Sequence, residues 1–186
     1  MTSPTLAGQP ARYDAVSIRL HWATVLLVAL QWGGAELIDF VPGKPAHLLY
    51  WSIHISLGAL FTLVVLTNIW WRLTSGAKLP DANKGALRPA SKAVQHTLLF
   101  VPLILALLGL GIVAARGWNL FGVLDIPPID GGSRPLMRNL HHIHELVAHF
   151  VVIVAVGHAT AALIHQYGAR DGVLARMAPW LASAAK

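Results

Sequence analysis

The stretch Leu140–Tyr167, "LHHIHELVAHFVVIVAVGHATAALIHQY", combines a long apolar run with six histidines. An apolar run of about 20 residues is long enough for a helix to cross a bilayer. An imidazole inside hydrocarbon is costly unless it faces the interior of a bundle and has a partner there, so histidines within a membrane span indicate a functional site. The stretch therefore predicts both a membrane helix and a site built on it.

Three further segments have the length of a membrane span, and the four predicted spans are 18–38, 48–73, 94–115 and 140–167. Of the 186 residues, 55% are hydrophobic and only 12% are charged. Backbone groups in lipid must find their hydrogen bonds within the segment, so we expect helices rather than strands. The sequence thus predicts an all-α, integral membrane four-helix bundle over residues 18–167, with tails at 1–17 and 168–186.

The basic residues predict how the bundle is oriented, because Lys and Arg accumulate in cytoplasmic loops. The N-terminal tail, the second loop and the C-terminal tail contain Arg12, Arg19, Arg72, Lys78, Lys84, Arg88, Lys92, Arg170, Arg176 and Lys186. The first and third loops contain only Lys44, Arg116, Arg134 and Arg138. Both termini, and with them both tails, are therefore predicted to be cytoplasmic. The net charge of +6 is explained by topology and does not indicate nucleic-acid binding.

The chain has no cysteine, which excludes disulfides, thiolate-ligated haem, iron–sulfur clusters and cysteine zinc sites within it. Histidine remains as a metal ligand. In the fourth predicted helix, His144 and His158 are 14 residues apart. They project from nearly one face, about 21 Å apart along the helix axis. One metal ion cannot bridge that distance, whereas two sites stacked across a bilayer can use both side chains.

Each of these histidines needs a second ligand at the same depth. His21 lies near the start of the first helix and His54 near the start of the second, which runs in the opposite direction. The expected depths of these histidines in the membrane pair His21 with His158 and His54 with His144. Haem iron accepts axial imidazoles, and bundles build cofactor sites from side chains on facing helices. Two bis-histidine sites are what a transmembrane dihaem b-type cytochrome requires.

Five short motifs carry a family resemblance: "RLHW" at 19–22, "IHISLG" at 53–58, "HE" at 144–145, "GHATAALIHQY" at 157–167 and "RDGVLARM" at 170–177. In this order the chain resembles the bacterial cytochrome b561 family from about residue 12 to residue 179. The resemblance implies that His21, His54, His144 and His158 are the haem ligands. One departure is Ile143, where the family often has Trp; it alters packing beside the outer haem and leaves ligation intact.

The resemblance also implies cofactors, partners and location. We expect two haem b groups with bis-histidine iron, in a multi-pass protein of the bacterial inner membrane that contacts lipid and ubiquinone. Some members of the family oxidise superoxide at the periplasmic face. Electrons would then pass from superoxide, or another periplasmic one-electron donor, through the outer and inner haems to ubiquinone at the cytoplasmic side. Two interpretations stay open: a superoxide:ubiquinone oxidoreductase, or an electron-transfer cytochrome.

Several other residues are candidates for contacts with these groups. His96 and His165 match family positions near the cytoplasmic face, where they would contact haem propionates or a quinone, or simply lipid headgroups. Arg19 and Arg72 either enforce topology or pair with propionates, for which a guanidinium offers a fork of donors. On the periplasmic side, Arg134 and Arg138 either set the topology, pair with haem propionates, or draw an anion toward the outer haem.

Two other functions are compatible with the sequence. The first is a cytochrome b subunit that anchors a larger dehydrogenase or hydrogenase in the membrane, and the second is a histidine-lined metal transporter. Co-purification with a second subunit would indicate the anchor, and an uncoloured protein would indicate the transporter. The sequence offers no nucleophile, acid–base pair or glycine-rich phosphate loop, so no catalytic residue is predicted.

Overall fold

Four long helices dominate the computed structural model, which describes residues 12–82, 85, 87–129 and 134–181. They are α1 (Ala15–Leu37), α2 (Lys44–Thr74), α3 (Leu87–Arg116) and α4 (Arg134–Leu163). Each is long and apolar enough to cross a membrane. The predicted four-helix membrane fold is therefore confirmed. Lys84 and the outer parts of both tails, at 1–11 and 182–186, lie outside the described residues.

The helices extend beyond their predicted ends. α3 begins at Leu87 and α4 at Arg134, where the predictions were 94 and 140. Each has a proline in its first turn, Pro89 and Pro135. A proline is tolerated there because the first N–H groups of a helix have no intrahelical acceptor. Residues that were predicted to lie in loops therefore belong to the first turns of these two helices.

The third loop contains a short antiparallel hairpin, which the sequence analysis treated only as a long loop. Strand β1 (Trp118–Leu120) pairs with β2 (Leu124–Ile126). Phe121 and Gly122 form the turn with positive φ angles of 57° and 75°, and primed turns of this kind suit the twist of hairpin strands. The backbone N–H of Phe121 donates to the hydroxyl of the buried Ser52 on α2, at 3.0 Å. This bond fixes the hairpin to the bundle.

The bundle has two ends, which we call the hairpin end and the terminal end. At the hairpin end, α1 and α3 finish and α2 and α4 begin; at the terminal end, α1 and α3 begin and α2 and α4 finish. The C-terminal segment folds back across the terminal end, where the indole N–H of Trp22 donates to the carbonyl of Met177 at 2.8 Å. α4 itself ends in a π-helical turn at Ile164–Ala169, a feature that is frequent at functional sites.

The packed centre of the bundle lies between its two ends. Consecutive helices pack directly against one another, while α1 and α4 approach much less closely along their described residues. Leu27, Phe61, Val65 and Ala106 form the buried cluster, and Val151 on α4 is only 2% exposed. Val151 lies midway between His144 and His158 in sequence. We call these five residues the middle layer, because it separates the two levels at which the histidines lie.

Asp14 ties the terminal end together. Its carboxylate caps α1 by accepting from the N–H groups of Val16 and Ser17. It also accepts from the indole N–H of Trp71 and the backbone N–H of Ala77, both at 3.0 Å. Burial alone would raise the pKa of Asp14, but the hydrogen bonds outweigh it and hold that pKa well below its usual range. One side chain thus joins the start of α1 to the end of α2.

Candidate functional site

The four predicted ligands lie at two levels of the bundle. His21 on α1 and His158 on α4 interact electrostatically at the terminal end. At the hairpin end, His54 on α2 interacts with His144 on α4. All four side chains are partly buried. The fold therefore brings together the same two pairs that were predicted from the depth of each histidine in the membrane. Their role as haem ligands stays a prediction.

His144 is held in a defined orientation by α3. Its Nδ1 lies 3.1 Å from the carbonyl oxygen of Leu105, and a Cβ added at Gly109 would lie 3.2 Å from the Cε1 of the ring. The glycine therefore lets the imidazole lie directly against the helix. Donation of the Nδ1 proton to a carbonyl fixes the tautomer and leaves the Nε2 lone pair free for a metal.

His54 has an aromatic and polar surround of its own. The hydroxyl of Tyr50 lies 3.2 Å from its Nδ1, and the ring of Trp51 contacts it edge-on. The side-chain amide of Gln31 on α1 donates to the backbone carbonyl of His54 at 2.9 Å. A Cβ at Gly34 would lie 2.9 Å from the ring of Tyr50, so only glycine admits that ring. Here too Nε2 remains as the nitrogen for a metal.

Tyr50 and Gly109 were not among the predicted site residues. Tyr50 precedes His54 by four residues, and side chains at that spacing meet on a helix, so the spacing was a usable signal. Gly109 gave no such signal, because its contact with His144 depends on how α3 and α4 pack.

The two candidate arginines at the terminal end differ. Arg72 interacts electrostatically with His21, and its guanidinium lies 5.9 Å from the ring centre of Tyr13. Arg19 is exposed and donates to the carbonyl of Ala15 in its own helix at 3.1 Å. Arg72 is therefore the better placed of the two to meet an acidic group bound beside His21.

The remaining candidates lie near the same end. His96 is exposed and its ring centre is 6.4 Å from that of Phe100. His165, in the π-helical turn, donates from Nδ1 to the carboxylate of Asp171. Burial alone would raise the pKa of Asp171, but the bonds from His165 and from the backbone N–H of Val173 hold that pKa below its usual value. Both histidines stay candidates for a cofactor or quinone contact.

The donor set fits haem better than a bare ion. The described residues contain no group of three or more His, Asp or Glu side chains able to hold a metal ion, and they contain two facing histidine pairs. Haem iron needs only two axial ligands, because the macrocycle supplies four nitrogens. The residues therefore fit two bis-histidine haems.

A profile of the prokaryotic cytochrome b561 family matches residues 12–180, nearly the whole chain. The chain belongs to this family. It is 29% identical to "Cytochrome b561 homolog 1" of Escherichia coli (strain K12), over 90% of its own length and 97% of that protein. It is also 29% identical to "Probable superoxide oxidase CybB" of Yersinia pestis, over 90% of its own length and 96% of the relative. A third relative, "Cytochrome b561 homolog 2" of Escherichia coli (strain K12), is 24% identical over 93% of the chain and 94% of that protein.

Membership settles the general character of the molecule. This cytochrome b561 family protein is a multi-pass bacterial membrane protein and a b-type cytochrome that carries electrons. The family predicted from the five motifs is thereby confirmed.

Proposed function

We propose that the protein binds two haem b groups, one at His21 and His158 and one at His54 and His144, and carries single electrons across the inner membrane. The donor is a periplasmic one-electron reductant, and the acceptor is ubiquinone. The observation that carries the proposal is the pair of facing histidines at each end of the bundle. Haem b supplies reversible one-electron chemistry when bound there.

The protein residues around each pair would orient and tune the cofactor. Leu105 fixes the tautomer of His144 through its carbonyl, and Tyr50 contacts the Nδ1 of His54. Such partners of metal-bound histidines set ring orientation and ligand basicity. At the terminal end, Arg72 beside His21 would pair with a propionate. The middle layer is buried and apolar, so it would keep water out of the space between the two levels.

The orientation follows from the loop charges. We place the terminal end in the cytoplasm and the hairpin end in the periplasm, because Lys and Arg are far more frequent at the terminal end. Arg116 stays at the hairpin end, with its guanidinium 4.6 Å from the ring centre of Trp118. Arg134 and Arg138 are exposed in the first turns of α4. These three arginines lie on the side from which a periplasmic donor would come.

Superoxide is the donor that these cations favour. A small anion is attracted by a cluster of positive charge, which raises its rate of encounter. The relative from Yersinia pestis is named a probable superoxide oxidase, and that name supports the same chemistry in this chain. The proposed activity is therefore a superoxide:ubiquinone oxidoreductase.

Two haems per chain is the first expected result. The purified protein should give about two non-covalent haem b groups by the pyridine haemochrome method, because each histidine pair holds one iron and no C-x-x-C-H attachment motif is present. The exposed His142, replaced by alanine, serves as the control and should keep both haems. A value of one or none would contradict the proposal, and constant co-purification of a second subunit would favour the membrane-anchor function.

Electrostatic attraction of superoxide is the second expected result. In stopped-flow experiments, the rate at which superoxide reduces the protein should fall as salt rises, since exposed charges are screened over about 8 Å at 0.15 M salt. Arg134→Ala and Arg138→Ala should each lower the rate about twofold to fivefold at low salt. Arg88→Ala removes the same charge at the terminal end and should leave the rate unchanged. A rate indifferent to both salt and the two variants would refute attraction by these arginines.

A further inference from the structure

Tyr50 on α2 is held in place by the facing helix. Its ring lies against α1 at Gly34, where an added Cβ would lie 2.9 Å from the Cε2 of the ring and 3.2 Å from the hydroxyl oxygen. A methyl group at position 34 would push the ring aside, so the glycine determines where the hydroxyl lies. Tyr50 precedes His54 by about one helical turn, and side chains at that spacing meet. The phenol is therefore confined between Gly34 and the imidazole of His54.

The hydroxyl of Tyr50 is the hydrogen-bond partner of His54. Its oxygen lies 3.2 Å from the Nδ1 of the imidazole. A histidine that presents Nε2 to a metal carries its proton on Nδ1 and donates that proton to a neighbouring acceptor. In that tautomer the phenol oxygen of Tyr50 accepts the bond. His144, at the same level, donates in the same way to the carbonyl of Leu105 at 3.1 Å. Both histidines of the hairpin end thus have an acceptor at Nδ1.

The two histidines of the terminal end have different surroundings. Neither His21 nor His158 makes a hydrogen bond to a residue that the structure describes. The rings of His21 and Trp22 are nearly perpendicular, with their centres 5.4 Å apart, and Arg72 interacts electrostatically with His21. A guanidinium is always charged. The terminal end therefore places a fixed cation near a histidine, whereas the hairpin end supplies two hydrogen-bond acceptors.

These differences act on the charge of a bound iron ion. An acceptor that pulls on the Nδ1 proton makes the imidazole a stronger electron donor through Nε2. Ferric iron is then stabilised over ferrous iron, which lowers the reduction potential. A nearby cation disfavours the additional positive charge of the ferric state and raises the potential. The hydrogen bonds at one end and the arginine at the other therefore separate the two potentials in the same direction.

We infer that Tyr50 is a positioning residue that holds the proton of His54 on Nδ1 and thereby gives the hairpin-end haem a lower reduction potential than the terminal-end haem. The inference rests on the function proposed above and adds the direction in which electrons run downhill. One electron leaves ferrous iron at the level of His54 and His144 and reduces ferric iron at the level of His21 and His158. No bond is made or broken, and the Nδ1 proton stays on His54.

Optical redox titration of the haem-loaded protein in nanodiscs tests the order of the two potentials. The reduced-minus-oxidised spectrum is followed while the solution potential is varied, and each component gives its own midpoint. His21→Ala, which would retain only the hairpin-end haem, identifies the component that belongs to that haem. We expect this component to have the lower midpoint in the wild type.

Tyr50→Phe keeps the ring against Gly34 and removes only the hydroxyl. The variant should keep both haems and raise the midpoint of the hairpin-end component alone. Its reduction equilibrium should change about threefold to tenfold, the usual effect of losing one hydrogen bond, which is roughly 30 to 60 mV for a one-electron couple. Gly34→Ala displaces the hydroxyl with Tyr50 still present and should raise the same midpoint. Tyr167→Phe removes the hydroxyl of an exposed tyrosine at the terminal end and should leave the hairpin-end midpoint unchanged.

Three outcomes would overturn the inference. They are a hairpin-end midpoint in the wild type that equals or exceeds the terminal-end midpoint, a Tyr50→Phe variant that keeps both haems and both midpoints, or an equal shift of both components in that variant. If Tyr50→Phe loses the hairpin-end haem, the wild-type order and Gly34→Ala decide. Fewer than two haems in the wild type would refute the proposed function, whereas two haems in the opposite order would refute only this inference.

Discussion

Replacing His21 or His158 by alanine is expected to remove one of the two haem b groups and to leave the other in place. In the proposed arrangement two histidines would hold each haem, so the loss of either one would remove that haem. Haem content should fall from about two to about one per chain, and one component of the reduced-minus-oxidised spectrum should disappear. Replacing His54 or His144 should remove the other component.

Double variants make the pairing testable. His21→Ala with His158→Ala should lose no more haem than either single change, because both residues serve one site. His21→Ala with His54→Ala should lose both haems. His142→Ala, two residues from His144 and exposed, is the matched control and should keep both components. If His21→Ala and His54→Ala abolished the same component, the pairing would be wrong.

Replacing Asp14 by alanine should cost roughly 3 kcal/mol of unfolding free energy. The loss combines a helix N-cap with the unpaired indole N–H of Trp71 and backbone N–H of Ala77. Asp14→Ser keeps an acceptor for the cap and should recover part of the loss. The measurement is equilibrium unfolding in detergent, followed by circular dichroism. Asp39→Ala removes an exposed carboxylate and is the control; an equal loss there would refute the role of Asp14.

The same carboxylate predicts an acid sensitivity with a definite sign. The pKa of Asp14 is lower in the folded protein than in the unfolded chain, where it is about 4. Its contribution to stability is therefore fully present above pH 4 and is lost as the pH falls through the folded-state pKa. The stability difference between the wild type and Asp14→Ala should shrink over that acidic range. A difference that stays constant with pH would contradict the assignment.

The histidine pairs were predictable because they follow from two things that the sequence contains. The 14-residue spacing of His144 and His158 fixes their separation along one helix, and the alternating direction of the spans fixes the depth of His21 and His54. The contacts that orient the ligands were not predictable. Gly109 and Leu105 contact His144 because α3 packs against α4. No feature of the sequence predicts which helices pack against each other.

Other parts of the fold were missed for local reasons. The hairpin at Trp118–Ile126 has strands of only three residues each, too short for an alternating pattern to stand out. Pro89 and Pro135 were taken for loop residues, although a proline fits the first turn of a helix. Asp14 was not singled out, since its partners Trp71 and Ala77 are far from it in sequence and near it only in space.

In the proposed orientation, the middle layer would make electron transfer between the two histidine levels sensitive to voltage. Leu27, Phe61, Val65, Ala106 and Val151 are buried and apolar, and a charge that passes their level travels about 21 Å between the histidine levels, most of a hydrocarbon core of about 30 Å. A full crossing at 100 mV is worth about 2.3 kcal/mol per charge, so this passage is worth roughly 1.6 kcal/mol. With a negative cytoplasm, the membrane potential would oppose the inward movement of an electron and retain it at the level of His54 and His144. An energised membrane would therefore slow the passage of electrons to the level of His21 and His158, and a depolarised one would let them spread to both levels.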